Sequence, residues 1–154
     1  MILASSCLCG EKCKYNGEDN LNVDVIAYLE RKEVIHVCPE VFGGLSTPRT
    51  PAEIVGGSAR DVLKGNAKVM TKEGEDVTMA FIRGANKVLQ LAKQFNVKQA
   101  ILKAKSPSCG KGEVYDGSFN QNLIAGNGIT AELLLKEGIE VITEVELSKQ
   151  VKTL

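Results

Sequence analysis

Apolar and polar positions along the chain switch repeatedly between a period near two and a period near 3.6, and these switches outline the fold. Ile2-Leu3-Ala4 is a short apolar run broken by Ser5-Ser6, which predicts a strand ending at Cys7. Leu21, Val25 and Leu29 then recur at helical spacing up to Glu30-Arg31-Lys32-Glu33, with Asp19 or Asn20 placed to cap the helix. Val34-Ile35-His36-Val37 predicts a second strand, ending at Cys38. The segment 39–57, with Gly43-Gly44, Pro48 and Pro51, reads as a long ordered loop, of a length that compact domains usually reserve for function. Residues 67–71 predict a short strand. Residues 76–95 predict the clearest helix, with Val77, Phe81, Ala85, Val88, Ala92 and Phe95 on one face. Gln99-Ala100-Ile101-Leu102 is a further core strand, and a helix over 129–136, closed by Gly138, precedes a last strand at 139–143.

Strands alternating with helices predict an α/β fold, a single three-layer Rossmann-like domain with a mostly parallel sheet, spanning residues 1–154. Ligands of such sheets bind in the crevice at the carboxyl ends of the strands. Cys7, Cys38 and Cys109 each follow an apolar strand directly or within a few residues. Laying those strands side by side would bring the three thiols together.

Composition narrows the chemistry. The chain has 154 residues, 44% hydrophobic and 25% charged, and its 19 Lys+Arg balance 19 Asp+Glu. At that length roughly two thirds of the unfolded surface can be buried, so folding needs no disulfide or structural metal. A net charge of zero provides no field to hold a polyanion, which argues against nucleic acid and for a small ligand. No apolar run approaches the ~20 residues of a membrane helix. Leu3-Ala4-Ser5-Ser6-Cys7 lacks the basic start and apolar stretch of a lipoprotein signal, so the expected location is the cytoplasm. Five cysteines, Cys7, Cys9, Cys13, Cys38 and Cys109, are an odd number that argues against a disulfide framework. They leave thiol chemistry or metal ligation, though none of the spacings is that of a zinc knuckle.

Ser5-Ser6-Cys7-Leu8-Cys9-Gly10 leading to Cys13-Lys14-Tyr15-Asn16-Gly17, then Cys38-Pro39-Glu40, Gly44-Leu45-Ser46-Thr47-Pro48-Arg49, Ser106-Pro107-Ser108-Cys109-Gly110, Tyr115-Asp116-Gly117-Ser118-Phe119 and Gly126-Asn127-Gly128-Ile129-Thr130-Ala131 resemble the DUF523 family. That family includes the thiouracil desulfidases, and the likeness runs nearly end to end. The resemblance implies a [4Fe-4S] cluster on Cys7, Cys38 and Cys109, with Cys13 as an alternative ligand. It also implies Glu40 as the acid/base group and Ser106 as the polar group that positions or protonates the substrate. The implied reaction turns the thiocarbonyl of a small thiolated base, 2-thiouracil-like, into a carbonyl with release of sulfide. Cys9 stands where the pattern carries an aliphatic residue, and Asn16 replaces the more usual Asp.

Each of these residues also has a plainer explanation. Glu40 can be a surface carboxylate, Ser106 a turn hydroxyl with Ser108 as its rival, and Arg49 the partner of a local carboxylate. His36, mid-strand, reads as a core or edge residue, and Tyr15 and Tyr115 either pack or stack on a planar base. Three other functions fit the same thiols: a non-hydrolytic iron-sulfur carrier or redox sensor, a desulfidase of 2-thiouridine in tRNA aided by a rim of Lys103, Lys105 and Lys111, and a structural zinc site. The first keeps its cluster without turnover, the second binds tRNA, and the third is colourless.

Overall fold

The computed structural model describes residues 1–152. Its centre is a wholly parallel sheet of four strands: β1 (Ile2–Ser5), β2 (Val34–Val37), β5 (Gln99–Leu102) and β8 (Glu140–Thr143), in the order β2-β1-β5-β8. Ile2 lies opposite both Val34 and Gln99, and Gln99 lies opposite Glu140, so the four strands start level and end level. The residues that follow Ser5, Val37 and Leu102 therefore emerge along one edge. The side-by-side arrangement expected for these strands is present, with β1 between the other two.

Side chains alternate across the sheet as the period of two requires. Ile2, Ala4, Ile101 and Ile142 face α1 (Val23–Leu29) and α6 (Glu144–Lys152), and pack on Val25, Leu29 and Leu147. Leu3, Ala100, Leu102 and Val141 face α4 (Thr78–Gln94) and α5 (Ile129–Lys136), and pack on Val88, Ala92, Ala131 and Leu134. This makes three layers, helix on sheet on helix. Leu3 is fully buried between β1 and those helices, and truncating it to alanine would cost about 2–5 kcal/mol.

Helix α4 buries Phe81, Ala85, Val88 and Ala92, as its periodicity predicts, but Phe95 falls outside that face and is exposed. The helix begins where the Thr78 amide donates to Asp76 Oδ1 at 2.9 Å. Helix α1 starts later than expected. Asn22, rather than Asp19 or Asn20, accepts from the Asp24 and Val25 amides, which leaves Leu21 outside the helix and exposed.

The segment 39–57 is not one loop. It holds α2 (Pro39–Phe42) and the strand β3 (Ala52–Val55). β3 pairs antiparallel with β4 (Lys68–Thr71), so the strand expected at 67–71 forms but stands outside the central sheet. Between them α3 (Ala59–Leu63) is closed by a capping box in which Ser58 and Asp61 bond each other's backbone. A second hairpin, β6 (Glu113–Tyr115) with β7 (Leu123–Ala125), follows the Cys109 loop.

Two glycines fix where α2 sits. A Cβ on Gly84 would lie 1.8 Å from the Pro39 carbonyl oxygen, and one on Gly43 would lie 1.9 Å from that of Ala80. Only two hydrogens allow α2 to rest backbone against backbone on α4, and that contact places Cys38 and Glu40 at the sheet edge.

Candidate functional site

A cavity of about 490 Å³ opens at the carboxyl ends of the parallel strands. Cys7, Cys13, Cys38 and Cys109 all line it, together with Glu40 and Ser106. Three separate strand ends deliver three of those thiols: Cys7 in the 3-10 turn after β1, Cys38 between β2 and α2, and Cys109 in the loop after β5. A larger opening of about 660 Å³ at the start of α4, beside Leu45, Met79 and Arg83, contains no cysteine. Chemistry singles out the smaller cavity.

Cys13 is the hub of the thiols. Its carbonyl oxygen accepts from the Cys38 Sγ at 3.9 Å, and its thiol, beside the Cys7 and Cys38 sulfurs and partly buried, is pushed well above the ordinary thiol range. The neighbouring Cys13 thiol lowers Cys38 to about 7, with the Arg49 charge adding to it, and lowers Cys7, helped by Asn20 and Lys103. Cys109 is pushed up by burial, against a bond from Ser5. Cys9 faces the core beside α1 and does not line the cavity.

Glu40 is held by Arg49, whose Nε donates to Glu40 Oε1 at 3.1 Å. The guanidinium also donates to the Cys13 carbonyl at 2.8 Å and to Thr47 Oγ1 at 3.0 Å, and is itself only 8% exposed. Burial raises the Glu40 carboxyl above its ordinary value, and Arg49 opposes that rise.

Ser106 Oγ accepts from the backbone amides of Ser108 and Cys109, each at 3.0 Å. With both acceptor positions used, its O–H is left as a donor. Ser108, its rival, is fully buried and bonded to Thr130 Oγ1 at 2.8 Å, away from the cavity. Tyr15 and Tyr115 line the cavity, and His36 lies exposed on the edge strand β2, outside it. Of the expected basic rim, Lys103 and Lys105 reach the cavity, but Lys111 pairs with Glu146 at 3.0 Å outside it.

Glu53, Phe119 and Gln121 also line the cavity. Sequence periodicity gave no sign of them, because each belongs to a hairpin or turn that only the tertiary fold brings to the strand ends.

Among the described residues no group of three or more His, Cys, Asp or Glu gathers in a way that could hold a metal ion. A cluster spreads its thiolates over separate irons and calls for a wider donor set than one ion. Four soft thiols around one cavity, two of them with lowered pKa, have the donor chemistry that iron-sulfur clusters take. Among the described residues, no helix is long and apolar enough to cross a membrane.

Comparison with known proteins places the chain in a family. A Bacillus subtilis (strain 168) protein described as uncharacterized protein YbbK is 49% identical over 148 residues, covering 96% of this chain and 98% of its own. A solved structure described as the [4Fe-4S]-dependent thiouracil desulfidase TudS (DUF523Vcz) superposes with a TM-score of 0.79 at 36% identity, covering 99% of this chain and 98% of its own. The 2-thiouracil desulfurase family matches residues 2–146. By sequence and fold, the chain belongs to the 2-thiouracil desulfurase family.

Proposed function

We propose that this protein is a [4Fe-4S]-dependent desulfidase that converts the thiocarbonyl of a small thiolated base such as 2-thiouracil into a carbonyl, releasing sulfide. The observation that carries the reading is the meeting of Cys7, Cys38 and Cys109, from three strand ends, in one cavity with Glu40 and Ser106. Family membership and the TudS likeness support it.

Cys7, Cys38 and Cys109 would hold the cluster, and Cys13 would donate its S–H to the Cys7 and Cys38 sulfurs. A cluster bound by three thiolates supplies one iron without a protein ligand, a soft Lewis-acid position suited to sulfur. Glu40, as a carboxylate that Arg49 orients and that burial makes a stronger base, takes a proton from the attacking water. Ser106 donates its O–H toward the reacting group, since its lone pairs are already occupied by two amides. Tyr115 and Phe119 line the cavity and supply aromatic side chains suited to a planar base. The balance is one water consumed and one hydrogen sulfide released: a C–O bond replaces the C–S bond and no net electron moves.

The test is anaerobic purification, reconstitution with iron and sulfide, and measurement of colour, iron content and sulfide release from 2-thiouracil, beside a Cys109→Ala variant. A brown protein with about four irons per chain that liberates sulfide, with both properties lost in the variant, is the expected result. A colourless protein that takes up no iron overturns it. Cluster retention without sulfide release returns the carrier or sensor function, and release from thiolated tRNA alone moves the substrate to nucleic acid.

A further inference from the structure

Glu53 is a buried carboxylate that the mechanism does not use. It sits on β3, is only 9% exposed, and lines the cavity. Its Oε1 accepts two backbone amides of the β6–β7 turn, from Gly117 at 2.9 Å and Phe119 at 3.2 Å. Such charge-assisted bonds to one oxygen are stronger than neutral ones and fix direction as well as distance.

The turn it grips is tight and conformationally unusual. Gly117 has φ +92°, and a Cβ there would lie 2.5 Å from the Ile54 carbonyl oxygen, so the turn rests on the β3 backbone. Phe119 and Gln121 have φ of 59° and 61°, a region that residues with a side chain seldom adopt. Asp116 braces the turn from within, accepting from the Ser118 amide and hydroxyl at 2.9 and 2.6 Å. Glu53 supplies side-chain hydrogen bonds that tie the turn across to the neighbouring hairpin. The held conformation is the one that puts Phe119 and Gln121 on the cavity wall. Among the described residues nothing bonds the Gln121 side-chain amide, which leaves a donor and an acceptor for a ligand.

We infer that Glu53 is a positioning residue: by clamping the Gly117 and Phe119 amides it holds Phe119 and Gln121 as the wall that selects the substrate base. The inference rests on the desulfidase reading for what the wall selects, but the clamp itself does not. Phe119 offers a face to the ring plane, and the Gln121 amide offers a donor and an acceptor to the alternating N–H and C=O edge of a pyrimidine. Both of the bonds that fix Glu53 run to backbone amides of the turn, so its loss affects substrate capture and leaves the reacting groups where they are.

Two measurements test this on the whole protein. Hydrogen exchange on the metal-free chain follows the Gly117 and Phe119 amides, which are slow in the wild type and accelerate at least about tenfold in Glu53→Ala. On the reconstituted enzyme, Glu53→Ala raises KM for 2-thiouracil about tenfold, with kcat within about twofold and iron content unchanged. Glu53→Gln, which keeps an oxygen at the same place, restores most of the exchange protection and of KM. Unchanged exchange and unchanged KM in Glu53→Ala overturn the inference, as does a parallel loss of kcat, iron and fold that Glu53→Gln also shows. If Glu53→Ala does not fold, Gln121→Ala and Phe119→Ala carry the test: a raised KM with kcat retained supports the wall, and an unchanged KM removes it. If the wild type releases no sulfide the desulfidase reading fails, and the exchange experiment still decides the clamp.

Discussion

Arg49 and Glu40 form the best-buried ion pair that touches the cavity, with Nε 3.1 Å from Oε1 and side chains 8% and 21% exposed. The same guanidinium reaches the carbonyl of Cys13, the thiol hub, at 2.8 Å. One planar fork thus ties the Glu40 carboxylate to the loop that carries Cys13. Lysine carries the charge but not the fork, so it serves one of these acceptors and abandons the others.

Arg49→Ala is expected to lower stability by about 2–3 kcal/mol, somewhat below the ~3–5 kcal/mol of breaking a fully buried pair because Glu40 keeps some solvent contact. Arg49→Lys falls between the variant and the wild type in stability, and its kcat drops more than its KM rises. Urea unfolding and steady-state sulfide release check both statements. A stability of Arg49→Ala equal to the wild type would remove the pair as a structural element.

Gly84→Ala tests the seat of α2. Its Cβ would lie 1.8 Å from the Pro39 carbonyl oxygen, a backbone atom that cannot step aside alone. Helix α2 must lift away, and Cys38 and Glu40 move with it. The cost should reach or exceed the ~1–3 kcal/mol of ordinary overpacking, with iron uptake falling as well. Gly74→Ala, where a Cβ meets nothing within 4 Å but φ is +87°, serves as the control: it strains a turn while leaving iron uptake intact.

Asp61 gives a pH signature remote from the site. Its bonds with Ser58 hold the carboxyl below the usual 3.8. A depressed folded pKa stabilises the protein above the unfolded value, and that contribution disappears as pH falls through the folded one. The Asp61→Asn variant should therefore be less stable than the wild type at neutral pH, and the two should converge below about pH 3.8. Thermal melts across pH 3 to 7 read this directly; a gap that widens toward acid would reverse the assignment.

How much of this was legible beforehand follows from the reach of each signal. Cys7 and Cys38 announce themselves because each lies where a period-two apolar run stops, and parallel strands in register end level. Strand β3 is hidden between prolines and glycines, and β7 by being exposed along its whole length, so neither shows an apolar run with an inside and an outside. Helix α6 buries only Glu144 and Leu147, too few for a stripe. Glu53 reads as an outward residue between Ala52 and Ile54, yet its partner Gly117 lies 64 residues away. Asn22 does not stand out as a cap in the sequence because Asp19 and Asn20 offer the same chemistry nearby, and only the backbone path decides among them. Local patterning located the strand ends; the residues that shape the cavity between them depend on long-range contacts.

The cysteines themselves supply the sharpest prediction. Cys7, Cys38 and Cys109 enter the cavity from three strand ends, whereas Cys13 approaches from the loop after β1, and its thiol is pushed up beside the Cys7 and Cys38 sulfurs while it lowers both of them, which suits a donor to those two sulfurs. A residue with that role is replaced well by serine, whose O–H donates to the same sulfurs. Cys13→Ser should keep most of its iron, with a shifted visible spectrum because the bonds to the Cys7 and Cys38 sulfurs change strength. Cys9→Ser, outside the cavity, should match the wild type in iron and spectrum. Cys7→Ser, Cys38→Ser and Cys109→Ser should each lose most of it. Iron and acid-labile sulfide per chain, measured anaerobically on all five variants, decide the set. Iron lost from Cys13→Ser but kept in one of the other three would make Cys13 a ligand and remove that residue from the ligand set.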